Sequence, residues 1–173
     1  MPNNSNLLSK EKTQKQNRIW VRISAACNNL CIFCLDSDAQ NWKLIPEDVV
    51  KKQIKEWFKP WYENRVILSW GEASINPKFG EYIKYAREIW YDRVQTVTNW
   101  NMFAFESFCK KVFDAWLQEV TFSFHGHNEK LHDYFHARKP YAQTLVAREQ
   151  APSPQRIGKY GETVLGRDIS GAC

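Results

Sequence analysis

The stretch CNNLCIFC places Cys27, Cys31 and Cys34 in a C-x3-C-x2-C array. Three thiolates on one short loop can converge on a metal centre, and soft sulfur ligands suit zinc or an iron–sulfur cluster. A closed structural zinc site wants a fourth ligand, and the residues that follow, Leu35, Asp36 and Ser37, supply neither Cys nor His. A cluster with one iron left open wants only three. Of the other two cysteines, Cys109 falls in an apolar stripe at helical spacing and reads as core packing, and Cys173 ends the chain without an assignment. A second stretch, LSWGEAS (68–74), carries an apolar run into Gly71 and Glu72. His132 and His136 stand at i, i+4 and could chelate a metal, but two histidines so spaced on a helix are expected to face water.

The elements that must position these residues alternate in type. RIWVRIS (18–24) suits a strand, and the cysteine loop then leads to Pro46 and a helical PEDVVKKQIKEWF. RVILS (65–69) looks like a buried strand. Phe79, Tyr82, Ile83, Ala86 and Ile89 recur at helical spacing before RVQTVT (93–98), a third strand. Phe105, Phe108, Cys109, Val112, Phe113 and Trp116 form an i, i+3, i+4, i+7 stripe before EVTFSF (119–124), a fourth. Strands alternating with helices describe successive βαβ units and a parallel sheet, with ligands collecting at the carboxyl ends of the strands. The cysteine loop, LSWGEAS, TNWNM and FHGH all fall at that end.

The predicted fold class is α/β, about four βα units spanning 18–145. Residues 1–17 read as a polar, disordered tail, and 146–173, with four of the seven glycines, as an aberrant or disordered extension without a strand or amphipathic helix. Hydrophobic residues at 43% and charged residues at 25% are ordinary for a globular domain. The formal charge of +5 is spread along the chain, so nucleic-acid binding is not indicated. No apolar run approaches the ~20 residues of a membrane span, and no secretory signal is evident, which makes the cytoplasm the default compartment.

The cysteine spacing, Phe33 directly before the last cysteine, and the βα pattern behind them resemble the radical S-adenosylmethionine superfamily over about 18–145. The resemblance implies a partial (β/α) barrel, truncated at its C-terminal side. Cys27, Cys31 and Cys34 would ligate a [4Fe–4S] cluster whose open iron binds S-adenosyl-L-methionine. Gly71 and Glu72 match the family's Gly-Gly-Glu-Pro motif at the methionyl ammonium, Phe33 would lie beside the adenine, and Ser123 and His125 match the region that contacts the ribose. It also implies reductive cleavage to a 5′-deoxyadenosyl radical, hydrogen abstraction from an unknown substrate, no catalytic side chain beyond cluster and cofactor, and an electron donor such as flavodoxin or ferredoxin. The alternatives are a truncated, non-catalytic iron–sulfur protein and a zinc-binding interaction module.

Eight tryptophans stand at 20, 42, 57, 61, 70, 90, 100 and 116, while residues 1–145 hold three glycines. Trp90 and Trp116 follow the last residues of predicted helices, where a left-handed backbone calls for glycine, and Trp100 follows Asn99 as glycine does in Asn-Gly turns. Trp70 occupies the first glycine of the family motif. Replacing Trp by Gly gives NGK, SGGEA, EIGYD, TNGNM and DAGLQ, each a better turn or cap, as would follow if UGA codons written as tryptophan were decoded as glycine. Trp20 sits comfortably in a strand and is excluded. The alternative is a true aromatic-rich divergent sequence.

Overall fold

The computed structural model describes residues 15–123, 125 and 128–136, together with the backbone of 156–157 and 162–166. Strands β1 (Gln16–Arg22), β2 (Glu63–Ser69), β3 (Arg93–Thr98) and β4 (Glu119–Ser123) lie side by side in that order, all parallel. Between them run α1 (Glu47–Glu56), α2 (Phe79–Glu88) and α3 (Glu106–Asp114), with α4 (Glu129–His136) after β4. The architecture is the expected open sheet of four βα units, consistent with a partial barrel.

The two faces of the sheet differ in chemistry because side chains alternate along a strand. Ile19, Val21, Val66, Leu68, Val94, Val120 and Phe122 face the helices and join Val50, Ile54, Tyr82, Ile83, Ala86, Cys109 and Val112 in one core. Each fully buried aliphatic side chain there contributes roughly 1.5–3 kcal/mol. Cys109 is 5% exposed and its thiol donates to the Phe103 carbonyl at 3.1 Å, the core placement its stripe predicts. The opposite face is more polar. Gln95 donates across it to Thr121 at 2.8 Å, and Glu119 binds Arg65 at 3.0 Å and Arg93 at 2.8 Å where the strands begin.

Two boundaries differ from the sequence reading. β1 begins at Gln16, inside the segment read as a tail, because Gln16 and Asn17 pair with Glu63 and Asn64 on β2. Asn17 is buried, and its Nδ2 donates to the Asn64 side chain and to the Trp57 carbonyl, both at 2.8 Å. Residues 1–14 lie outside the described residues. The segment 146–173, read as lacking strands, contributes β5 (Arg156–Ile157) and β6 (Glu162–Gly166). β6 runs antiparallel along β4, with Val120 opposite Leu165 and Phe122 opposite Thr163, and β5 pairs outside it. A parallel edge left at β4 would present unpaired N–H and C=O groups, and ETVLG, with two adjacent β-branched residues, satisfies them. The rest of 146–173 lies outside the described residues.

Glu119 holds two guanidinium groups at the amino end of the sheet, and burial pushes the Arg65 pKa down against the pull of that carboxylate. Glu119→Ala leaves both cations without their shared partner in a half-buried site and is expected to destabilise the chain by about 2–3 kcal/mol in urea denaturation. A loss below about 0.5 kcal/mol, the size of a surface pair, would show that solvent screens this junction.

Candidate functional site

The loop after β1 is pinched at its base. Ala25 N–H donates to the Lys43 carbonyl at 2.9 Å, Asn41 N–H to the Ala25 carbonyl at 3.2 Å, and Ser24 bridges Leu44 in antiparallel fashion. The cysteines stand on the protruding part, where a turn joins Cys34 N–H to the Cys31 carbonyl at 3.1 Å. The carboxyl end of α4 braces this part. Its Phe135 and His136 carbonyls, which lack partners within the helix, accept from Ile32 at 3.1 Å and Leu30 at 3.3 Å.

Cys27, Cys31 and Cys34 are half-buried and free of disulfides. Cys27 Sγ accepts from Asn29 N–H at 3.4 Å and lies 3.9 Å from Asn99 Nδ2, and Cys34 Sγ accepts from Gln40 Nε2 at 3.3 Å. Burial pushes the Cys27 and Cys31 thiols up to about 11. For Cys31, the neighbouring Cys27 and Cys34 add to that rise. The three sulfurs thus share one electrostatic neighbourhood. Among the described residues, no three His, Cys, Asp or Glu side chains converge closely enough to hold a single metal ion.

The loop after β2 packs against the start of the cysteine loop. Gly71 has φ +53°, and a Cβ built there would stand 2.2 Å from the Ala26 carbonyl oxygen, so only glycine fits. Glu72 N–H donates to that same oxygen at 2.8 Å. The Glu72 carboxylate is 1% exposed and accepts from Ser74 N–H at 3.0 Å, Ser74 Oγ at 2.5 Å, Thr98 Oγ1 at 2.7 Å and Asn99 N–H at 2.6 Å. Burial pushes its pKa up and these four donors pull it back. The carboxylate ties the ends of β2 and β3 together, so the donors it meets belong to its own chain.

A cleft of about 610 Å³ opens above these loops. All three cysteines line it, with Phe33, Gly71, Glu72, Ser123 and His125, and Trp20, Gln40, Trp70, Thr98, Asn99 and His136 complete much of the wall. Every site residue read from the sequence therefore meets at one place. Phe33 packs edge-on against His125 at 4.5 Å between ring centroids and against Phe135 at 5.8 Å. Burial holds the His125 pKa below its usual value. The expectation that His132 and His136 face water is wrong: each is 1% exposed, because α4 turns that face toward the cysteine loop it braces. Thr98 and Asn99 escaped individual notice, although the strand-end rule singled out their loop; Gln40 gave no signal in the sequence.

A parallel βα sheet carrying a three-cysteine loop and a glycine loop at its carboxyl end defines the class of enzyme cores built on open (β/α) barrels. The Radical SAM superfamily family model matches residues 21–149, and the chain belongs to that superfamily. Among solved structures it is similar to methylornithine synthase (PylB), with a TM-score of 0.63 at 14% identity, over 79% of this chain and 41% of that one. The chain thus spans less than half the length of that relative. No curated protein matches the sequence.

Gly71→Ala sets a Cβ against the Ala26 carbonyl in a left-handed backbone and is expected to destabilise by roughly 2–4 kcal/mol, read from denaturant midpoints. A neutral Gly71→Ala would show that the two loops do not approach as closely as described. The His132 pKa is lowered to about 4, first by burial and then by His136. An unfolded histidine titrates near 6.5, so the stability drawn from keeping His132 neutral is complete above about pH 6.5 and is lost as pH falls toward about 4. The melting temperature should therefore drop between pH 7 and pH 5, and His132→Gln should flatten that dependence. An unchanged slope in the variant would remove His132 as its source.

Proposed function

We propose that this chain is the amino-terminal part of a radical S-adenosylmethionine enzyme core, with Cys27, Cys31 and Cys34 holding a [4Fe–4S] cluster beside an S-adenosyl-L-methionine site. One observation carries the reading: the three thiols and the Gly71 loop form adjoining walls of one cleft at the carboxyl ends of the strands. The donor set fits such a group. A cluster takes one thiolate per iron, so its ligands stand wider apart than those of a single zinc, and N–H groups aimed at the sulfurs of Cys27 and Cys34 suit charged cluster thiolates.

When bound, the cluster and S-adenosylmethionine supply one-electron reductive cleavage of a sulfonium and hydrogen abstraction from substrate. The chain's own residues position these partners. Main-chain polar groups around Gly71 would take the methionyl ammonium, held in place by the Glu72 tie behind them. Phe33, packed on His125, offers an aromatic edge to the adenine, and Ser123 lies where a ribose hydroxyl could be met. The electron comes from a donor such as flavodoxin or ferredoxin in a reducing, cytoplasmic setting. Among the described residues no helix is long and apolar enough to cross a membrane.

Anaerobic reconstitution with iron and sulfide tests the reading. The protein should turn brown, and on reduction with S-adenosylmethionine it should release 5′-deoxyadenosine. Cys31→Ala should lose the cluster's visible absorbance and most of its iron, and retained colour would refute that ligand. Colour without cleavage would favour a truncated, non-catalytic iron–sulfur protein. Colourless uptake of zinc would favour an interaction module.

A further inference from the structure

Among the described residues, the backbone is left-handed at six non-glycine positions: Trp42, Trp61, Trp70, Trp90, Trp100 and Trp116, with φ between 58° and 79°. Every one is a tryptophan. The residues that ordinarily tolerate this region are Asn, Asp and His, and a bulky side chain there is a true outlier. From this coincidence we infer that all six positions are glycine in the polypeptide made by the native cell, the tryptophans being UGA codons that its translation machinery reads as glycine. UGA differs by one base from the tryptophan codon UGG and by one base from the glycine codon GGA.

Five of the six positions, all but Trp70, have the hydrogen bonds of a turn or helix end that suits glycine. Trp90 N–H bonds the Arg87 carbonyl at 3.0 Å and Tyr91 N–H the Ala86 carbonyl at 3.1 Å; Trp116 N–H bonds Phe113 at 3.0 Å and Leu117 N–H bonds Val112 at 3.1 Å. Both are the paired bonds of a Schellman helix end, with tryptophan in the glycine seat and a buried Tyr91 or Leu117 after it. In Lys59-Pro60-Trp61-Tyr62 the Tyr62 N–H returns to the Lys59 carbonyl at 3.3 Å, with proline second and a left-handed residue third, the pattern of a type II turn. Trp42 and Trp100 follow asparagines, and Asn41 Oδ1 accepts from Lys43 N–H at 3.0 Å across Trp42.

The indoles pack unevenly: Trp100 is buried in the core, while Arg87 lies over the Trp116 ring and Arg22 over the Trp70 ring, each at 4.4 Å. Trp42, Trp61, Trp90 and Trp116 stand in solvent, and Trp61 is 97% exposed. Trp70 and Trp100 turn inward, and each buries an Nε1 without a hydrogen-bond partner. The Trp100 ring centroid lies 3.0 Å from that of Phe122, tighter than the ~4.5–7 Å that aromatic pairs prefer. Trp20 and Trp57 have no positive φ and are not part of the inference.

Peptide masses of the protein isolated from its native cell, read beside its codons, decide the matter. Glycine masses over UGA at the six positions are expected; tryptophan masses there, or UGG codons, overturn the inference whatever the cofactor chemistry proves to be. A second measurement needs no native material. A chain with all six Trp→Gly changes should melt higher than the chain as written, and alanine in place of glycine at 90 and 116 should recover less, since alanine also resists a left-handed backbone. Equal recovery by alanine would locate the gain in removal of the indole and overturn the backbone argument.

Discussion

The carboxyl end of the sheet depends on one close approach of backbone to backbone. Gly71 lies so near the Ala26 carbonyl that no Cβ can intervene, and Glu72 N–H closes on that oxygen at 2.8 Å. Two loops from neighbouring strands are thereby fixed to each other without an apolar side chain between them. The Glu72 carboxylate extends the junction to a third strand through Thr98 and Asn99. Asn99 passes it back to the cysteine loop, because its Nδ2 donates to the Asn28 side chain at 2.7 Å. The circuit is polar, largely buried and closed, and each donor removed would weaken the hold on a carboxylate that burial already disfavours.

The two ends of the sheet answer the same need with different chemistry. At the amino end, Glu119 shares its charge between Arg65 and Arg93, and Glu63 adds a second carboxylate to Arg93 at 3.3 Å, in a junction that joins strands. At the carboxyl end, Glu72 is satisfied mainly by neutral donors, so its charge is spread over loop backbone and hydroxyls while the cleft beside it stays open. The α4 helix completes the rim from the far side, holding the cysteine loop by its last carbonyls while His132 and His136 are packed away from solvent.

The sheet was legible because its signals are periodic. Arg93–Thr98 is a strand to the residue, and the stripes at Phe79 and Phe105 mark helices that begin at Phe79 and Glu106. The cysteine loop was legible as a unit because three thiols within eight residues cannot lie far apart, and all three line one cleft. What escaped the sequence depends on contacts between distant segments. Gln16 and Asn17 look like tail until β2 pairs with them, ETVLG looks unstructured until an open edge needs covering, and Gln40 is one polar residue among many until Cys34 lies beside it. His132 and His136 were misread for the same reason: spacing places two histidines on one helix face, but only the fold decides whether that face meets water or a loop.

Trp70 shows how local and global readings constrain each other. Its neighbours are in order: β2 ends at Ser69, Gly71 meets Ala26, and Glu72 reaches its four donors. An indole at φ +78° keeps its Nε1 buried without a partner and stays in the cleft, under the Arg22 guanidinium at 4.4 Å. A surface cation–π contact contributes about 0.5–1 kcal/mol, which does not offset a left-handed backbone at about 1–2 kcal/mol together with a stranded donor at about 1–3 kcal/mol. Natural sequences concentrate such conflicts at functional sites, where strain has a use. Here the same conflict recurs at Trp42, Trp61, Trp90 and Trp116, at exposed turns and helix ends away from the cleft, where strain serves nothing. A cause shared by all six positions must therefore lie in the identity of the residue, and at Trp70 the side chain also lines the cleft at the carboxyl ends of the strands.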